Sequence, residues 1–255
     1  MRAKYAHGLL DQAARRGWSA DLLLFRSCDG ELNSARRLYH SGETTDVDFV
    51  ARRLSAEAPG APLVVCGVSL GGNVLLKWLG ELGDLGPGLV SRAAAVSVPF
   101  DLAAGSTYLE RGLSPLYTRH FLKTLRPKAL SKARQYPGSV DVDRVMLART
   151  FWEFDDASTA PLHGFTSAAD YYERSSSINF LSTIRVPTLL FSAEDDPFVP
   201  PSVLSRVRAI VDTNGTLECD ITRRGGHVGW VEGIAWPSRY YMEKRVVEYL
   251  AIDGR

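Results

Sequence analysis

Short apolar runs alternate with amphipathic helical segments along most of the chain, and this alternation limits the possible folds more than any other feature. The apolar runs that indicate strands cover residues 19–25, 62–67, 92–98, 187–192 and, with polar residues interspersed, 216–221. The helical patterns cover residues 4–16, about 44–58, 70–82, about 201–211 and about 238–250. Strands that alternate with helices pack as a mostly parallel sheet with helices on both faces, so we predict an α/β fold.

The alternation stops between about residues 101 and 185. This stretch has a helical composition, is rich in aromatic residues and is interrupted by four prolines, Pro115, Pro127, Pro137 and Pro161. A chain of 255 residues is an ordinary length for one large α/β domain. We therefore predict a single domain over residues 1–255, with a helical lid inserted over the sheet at about 101–185.

Composition and the course of the chain argue against a nucleic-acid partner, a metal site, a disulfide framework and a membrane span. The 30 basic and 29 acidic residues give a net charge of +1, which offers no electrostatic reason to expect nucleic acid as a partner. The three cysteines have neither the spacing of a metal site nor that of a disulfide framework. The start of the chain has no signal-peptide pattern, and no apolar run approaches the roughly 18 residues of a membrane span. We predict a cytoplasmic protein that needs no metal or cofactor.

The segment GVSLG at 67–71 matches the G-x-S-x-G pattern, and it lies between the predicted strand 62–67 and the predicted helix 70–82. In such a turn the serine occupies a strained conformation, and the two glycines avoid collisions with neighbouring backbone. We predict that Ser69 is a nucleophile. The start of the following helix directs free N–H groups at the reacting oxygen, so the N–H of Leu70 is the predicted oxyanion donor.

A serine hydroxyl needs a base to take its proton. In α/β hydrolases the order along the chain is serine, then an acidic residue, then histidine. His227 lies in GGHVG (225–229), a loop after the last predicted strand, where this order places the base. His163 also follows Ser69, but it lies in the predicted lid before the strand that should carry the acid. We therefore predict that His227 is the base.

Two aspartates compete for the role of the acid, because Asp195 and Asp196 both follow the predicted strand 187–192. Many such enzymes have G-x-x-D-x-x-x-P at this place, with Ala193 here in the glycine position and Pro200 in the proline position. That register favours Asp196, and Asp195 is then expected to be a solvated neighbour. The acid fixes the tautomer of the imidazole and stabilises the imidazolium.

Several segments together resemble the YheT-like (AB hydrolase 4) family of α/β-hydrolase fold serine hydrolases. They are FRSCDGELNSARRLYHSGETTD (25–46), GVSLGGNVLLKWLGE (67–81), TAPLHGF (159–165), SAEDDPFVP (192–200) and GGHVGW (225–230). The resemblance implies an α/β-hydrolase fold with Ser69, Asp196 and His227 in the charge-relay positions. It also implies activity on carboxylic esters of short to medium acyl chains, or on glycerolipids, without a cofactor.

The chain departs from this family at its start. The family places a strand that ends in His-Gly-Leu-Glu-Gly before its first helix, whereas this chain opens inside that helix. We therefore expect that the family's N-terminal strands are absent from the chain as given, together with the second oxyanion donor, and that these residues alone are a weak catalyst. His7 lies in the predicted helix and is not assigned to the oxyanion site.

Two alternatives to ester hydrolysis stay open. One is acyl transfer to an alcohol, and the other is a catalytically weak lipid-binding module on the same fold. The basic segment 119–134 is either a contact for anionic lipid headgroups or a solvated lid helix, and we favour the helix. A small-molecule ester or a lipid is the expected substrate, and the sequence leaves the oligomeric state open.

Overall fold

A computed structural model describes residues 3–111, 115–232 and 239–252. By its contacts the chain divides into two compact units. The first unit comprises Met1–Leu23, Thr44–Pro99 and Ser177–Arg255, and the second comprises Leu24–Glu43 and Phe100–Ser176. The interpretation of the whole chain as one domain with a lid at about 101–185 stays a prediction.

The described residues form eleven α-helices and six strands. The helices are α1 (Lys4–Arg15), α2 (Thr45–Glu57), α3 (Leu70–Leu82), α4 (Leu102–Tyr108), α5 (Pro115–Gln135), α6 (Val142–Leu147), α7 (Phe151–Phe154), α8 (Ala160–His163), α9 (Ala168–Ser175), α10 (Pro201–Val211) and α11 (Tyr241–Leu250). The strands are β1 (Val64–Val68), β2 (Arg92–Val96), β3 (Thr188–Ala193), β4 (Leu217–Thr222), β5 (Val231–Glu232) and β6 (Arg239–Tyr240). None of the described helices is both long and apolar enough to cross a membrane.

The first unit is built on a four-stranded parallel sheet in the order β1-β2-β3-β4. The two central strands carry the core: residues 93–96 of β2 are fully buried, and all six residues of β3 are buried. In contrast, β4 is mostly half-buried, as its alternating sequence predicts for an edge. A short antiparallel pair, β5 and β6, lies outside this sheet. The predicted parallel α/β arrangement is confirmed.

Helices cover both faces of this sheet. On one face α11 packs against β1, β2 and β3, and α1 packs on α11. On the other face α3 packs against β1 and β2, and α2 lies on α3. Every residue from Gly72 to Gly80 of α3 is buried, which explains why this helix carries apolar residues on nearly all sides. The indole of Trp78 donates to the Asp48 carboxylate at 3.0 Å and so ties α3 to α2.

Residues 19–25 do not form the strand that their apolar run predicts, and this prediction is wrong. Leu22, Leu23 and Leu24 are instead 43%, 37% and 48% exposed. A strand is held by hydrogen bonds to a neighbouring strand, and no strand in the described part of the chain pairs with this segment. The apolar run therefore stays irregular, because its side chains favour burial but its backbone has no ladder to join.

The second unit is helical and contains α4 to α9, with one turn of π-helix at Asp155–Thr159. Its core joins Leu122 of α5, Val145 of α6 and Phe154 of α7 to Leu38. The Lys132 ammonium is fully buried and donates to the backbone carbonyls of residues 33 and 35, which attaches the segment 24–43 to α5. This buried cation belongs to the basic run 119–134, so part of that run has a structural role.

Candidate active site

Ser69 lies in the turn between β1 and α3. Its backbone has φ 54° and ψ −123°, a left-handed conformation that is costly for a residue with a side chain. Hydrogen bonds hold the turn on both sides. The Ser69 N–H donates to the carbonyl of Val96 at 2.8 Å, and the Ser69 carbonyl accepts from the N–H groups of Gly72 at 2.9 Å and Asn73 at 3.2 Å. The end of β2 and the first turn of α3 therefore fix the serine in its strained position.

Two glycines make this turn possible. A Cβ atom on Gly67 would lie 2.5 Å from the carbonyl oxygen of Gly71, and one on Gly72 would lie 2.6 Å from Val98 Cγ2. The predicted requirement for glycine at position 67 is thus confirmed by the space available. Gly72, which the five-residue motif does not include, is almost as crowded, so the elbow extends one residue further than the motif.

His227 faces the serine from the loop after β4. Its Nε2 atom lies 2.9 Å from Ser69 Oγ, and its Nδ1 atom lies 3.0 Å from Asp196 Oδ2 and 3.1 Å from Asp196 Oδ1. The Phe198 ring packs on the imidazole with its centroid 4.3 Å away. A neutral imidazole that donates from Nδ1 to the carboxylate has a free lone pair on Nε2, which can accept the serine proton.

Asp196 follows β3 and is 2% exposed. Its Oδ1 atom accepts the Phe198 N–H at 2.9 Å, which fixes the plane of the carboxylate beside the imidazole. The structure thus brings Ser69, His227 and Asp196 together in a single chain of hydrogen bonds within the first unit.

Asp195 points elsewhere. Its Oδ1 atom accepts the N–H groups of Gly225 at 2.9 Å and Gly226 at 2.8 Å, the two residues that precede His227. The carboxylate is exposed, as expected, but it is not merely a solvated neighbour, and that part of the expectation is wrong. The physical reason is that the adjacent N–H groups of the glycine loop form a small cradle for an anion.

Leu70 is the first residue of α3 and directly follows the serine. The first N–H groups of an α-helix have no partner within the helix, and their partial positive charge faces an anion placed before the helix. The Leu70 N–H therefore lies where an oxyanion donor is required, and its role as that donor stays a prediction.

His163 and His7, the two other histidines weighed in the sequence analysis, lie in surroundings unlike those of His227. His163 lies in the second unit, where its Nδ1 donates to the Thr159 carbonyl at 2.7 Å and its Nε2 accepts the Leu38 N–H at 3.1 Å. Burial lowers the pKa of His163, which favours the neutral ring. His7 lies exposed in α1, as its helical sequence pattern predicts. Among the described residues no group of three histidine, cysteine or acidic side chains could hold a metal ion.

Sequence reasoning missed Ser97, which follows β2. Its side-chain oxygen accepts the Val228 N–H at 3.2 Å, and its φ is 50°. No motif marks this serine; a clue lies only in its position at the end of a central strand, where functional side chains of parallel sheets gather.

Comparisons with known proteins identify the family. The profile described as serine aminopeptidase, S33 matches residues 40–221. YheT of Escherichia coli (strain K12), named as a candidate esterase, is 38% identical over 98% of this chain and 73% of its own. The chain belongs to this hydrolase family. The predicted recognition of a YheT-like protein and the predicted hydrolase class are therefore confirmed.

Further relatives and a solved structure agree with this assignment. The mouse phospholipase ABHD3 is 34% identical over 86% of this chain, and the chain spans about half of that relative's length, 53%. The solved structure of the Pyrococcus furiosus esterase Pf2001 has a TM-score of 0.58 at 15% identity and covers 97% of this chain and 76% of its own. The structural likeness confirms the predicted α/β-hydrolase fold.

Proposed function

We propose that this protein hydrolyses carboxylic esters through a covalent acyl-enzyme, with Ser69 as nucleophile, His227 as base and Asp196 as the acid that orients it. The observation that carries the proposal is the continuous chain Ser69 Oγ–His227 Nε2 and His227 Nδ1–Asp196 Oδ2, at 2.9 and 3.0 Å. The half-buried elbow, the acid and the base come from three separate segments of the chain, and the hydrogen bonds join all three.

The first half of the reaction forms the acyl-enzyme. Ser69 Oγ bonds to the carbonyl carbon of the ester while His227 Nε2 takes the hydroxyl proton. The carbonyl oxygen becomes an oxyanion, which the Leu70 N–H stabilises at the start of α3. The bond to the leaving oxygen then breaks, and His227 returns its proton to that oxygen, which departs as an alcohol.

The second half releases the acid. His227 takes a proton from water, the resulting hydroxide oxygen bonds to the acyl carbon, and the bond to Ser69 Oγ breaks as the proton returns to the serine. Asp196 keeps the imidazole proton on Nδ1 in the resting state and stabilises the imidazolium in both halves. This chemistry needs no cofactor.

We infer the substrate class from the relatives, whose names include a phospholipase and, in mouse, a monoacylglycerol lipase. The proposed substrates are esters of short or medium acyl chains, or glycerolipids. Acyl transfer to an alcohol would use the same acyl-enzyme, and product analysis in the presence of ethanol separates it from hydrolysis.

Replacement of the nucleophile tests the proposal. Ser69→Ala should abolish turnover of a short-chain nitrophenyl ester, because the nucleophilic oxygen is removed with little change in volume. Ser205→Ala is the matched control, since Ser205 is an exposed serine on α10 whose hydroxyl donates to the Pro201 carbonyl of its own helix at 3.1 Å. Turnover that survives in Ser69→Ala would refute the assignment.

A further inference from the structure

The loop that carries His227 is held on both sides of the histidine by side chains that the triad does not include. On the N-terminal side, Asp195 Oδ1 accepts the N–H groups of Gly225 and Gly226 at 2.9 and 2.8 Å. On the C-terminal side, Ser97 Oγ accepts the Val228 N–H at 3.2 Å. Every residue that adjoins His227 is thus attached to a strand end of the parallel sheet.

The backbone of this loop has positive φ on both sides of His227, and a hydrogen bond from the Gly229 N–H to the Gly225 carbonyl at 3.0 Å closes it. Gly226 has φ 56° and Val228 has φ 62°, and the second value is strained for a β-branched residue. Ser97 itself has φ 50° and is fully buried. Strain of this kind persists only where surrounding contacts determine the conformation. The bonds from Asp195 and Ser97 are contacts of that kind.

The same strand end also positions the nucleophile. The Ser69 N–H donates to Val96, and the next residue, Ser97, holds Val228. The end of β2 therefore sets the position of both Ser69 and His227. Behind the loop, the Trp230 indole donates to Thr222 Oγ1 at 2.7 Å and leaves no room for a side chain on Gly225, where a Cβ would lie 2.1 Å from the indole nitrogen.

We propose that Asp195 and Ser97 are positioning residues that hold the His227 imidazole between Ser69 and Asp196. This inference rests on the proposed function, because it assigns a role to these residues through the proposed base. Neither side chain touches the reacting atoms. Asp195 acts as a hydrogen-bond acceptor for the two glycine N–H groups, and Ser97 acts as an acceptor for the Val228 N–H.

The acceptor role distinguishes two variants of Asp195. Asp195→Asn keeps an oxygen that can accept from both glycines and removes only the charge. Asp195→Ala removes the acceptor and the charge together. If Asp195 positions the loop, kcat should fall by about 10- to 100-fold in Asp195→Ala and by less than about threefold in Asp195→Asn, because a displacement near 1 Å costs on that order. KM should change little in both.

The same assay extends to Ser97. Ser97→Ala leaves the Val228 N–H without its partner and should lower kcat by about tenfold, again with little change in KM. Glu194→Ala is the matched control, because Glu194 is an exposed carboxylate in the same turn whose side chain bonds to Arg208 and not to the His227 loop. It should keep the wild-type kcat. Thermal unfolding of each variant accounts for losses of folded protein.

A second measurement does not depend on any variant. The Gly225 and Gly226 amides of the wild-type protein should exchange slowly with D₂O, since both are bonded to Asp195, while the neighbouring Arg224 amide provides the comparison. The Nδ1 proton of His227 gives a further signature, because its NMR signal should broaden in Asp195→Ala and persist in Asp195→Asn.

The outcomes separate this inference from the proposed function. Equal kcat losses in Asp195→Ala and Asp195→Asn would show that charge and not position matters, and would overturn the inference, as would rapid exchange of both glycine amides. Wild-type kcat in Asp195→Ala together with an inactive Ser69→Ala would overturn the inference alone. Activity in Ser69→Ala would overturn the proposed function itself.

Discussion

Asp196→Asn should almost abolish activity, and the structure gives the reason atom by atom. The Phe198 N–H donates to Asp196 Oδ1 at 2.9 Å, so the asparagine oxygen would occupy that position and its NH₂ group would take the place of Oδ2. That NH₂ group would then lie 3.0 Å from His227 Nδ1 and donate to it. This favours the tautomer with the imidazole proton on Nε2, which faces Ser69 Oγ, because a proton on Nδ1 would meet the NH₂ group at 3.0 Å, although the amide oxygen at 3.1 Å could still accept from it.

An imidazole with its proton on Nε2 cannot accept the serine proton, so the expected loss in kcat is on the order of 10⁴, or about 5 kcal/mol of transition-state stabilisation. The assay measures kcat for a short-chain nitrophenyl ester at constant pH, with thermal unfolding as the control for folding. A variant with a loss below about tenfold would refute the tautomer argument. Asp195→Asn provides the comparison, because its amide faces the glycine loop and not the imidazole.

Two further predictions concern the elbow and the second unit. Gly67→Ala should lower activity by about 100-fold and stability by about 1–3 kcal/mol, because its Cβ would meet the Gly71 backbone at 2.5 Å. The ester assay measures the activity and a urea titration measures the stability. Gly215→Ala, where a Cβ meets no atom within 4 Å, is the control and should change neither quantity. Burial raises the pKa of Asp155 from 3.8 to about 6, against hydrogen bonds from Thr159 and Tyr172 that lower it. The folded protein therefore binds this proton more tightly than the unfolded chain, and the group reduces stability progressively as the pH rises from about 4 to about 6, by about 3 kcal/mol at most. Urea unfolding at pH 4.5 and pH 7.5 should show a smaller loss of stability with rising pH in Asp155→Asn than in the wild type, and an equal loss in both would contradict the assignment.

Where local pattern and tertiary packing agree, the sequence was sufficient to predict the elements. The helix predicted at 70–82 and the helix predicted at about 201–211 have those bounds in the structure. The strand predicted at 92–98 extends two residues beyond the end of the observed β2, and the strand predicted at 187–192 is displaced by one residue from the observed β3. Buried parallel strands and the helices that follow them have patterns that few other structures share.

The failures arise where the structure depends on partners that are distant in sequence. The run at 19–25 has the composition of a strand, but hydrogen bonding to a neighbour decides whether a strand forms, and composition does not report that neighbour. The attachment of residues 24–43 to α5 through Lys132 is equally invisible to local pattern. The predicted start of the last helix at Ser238 lies outside the described residues, and the structure has this helix from Tyr241.

The candidate site divides in the same way. Motif order and spacing predicted Ser69, His227 and Asp196. In the structure His227 lies within hydrogen-bond distance of both Ser69 and Asp196. Asp195 and Ser97 were not predicted as supports of the histidine loop. Their partners are backbone N–H groups, which every non-proline residue has, so no residue type in the sequence indicates the contact.

The most direct test of the account is to map the residue that reacts with a fluorophosphonate probe. We expect mass spectrometry to find the label on Ser69 alone, since its hydroxyl has a histidine at 2.9 Å to take its proton. Labelling should slow strongly in His227→Ala, while Ser205→Ala should label at the wild-type rate. A label on another residue, or a folded protein that stays unlabelled, would contradict the account.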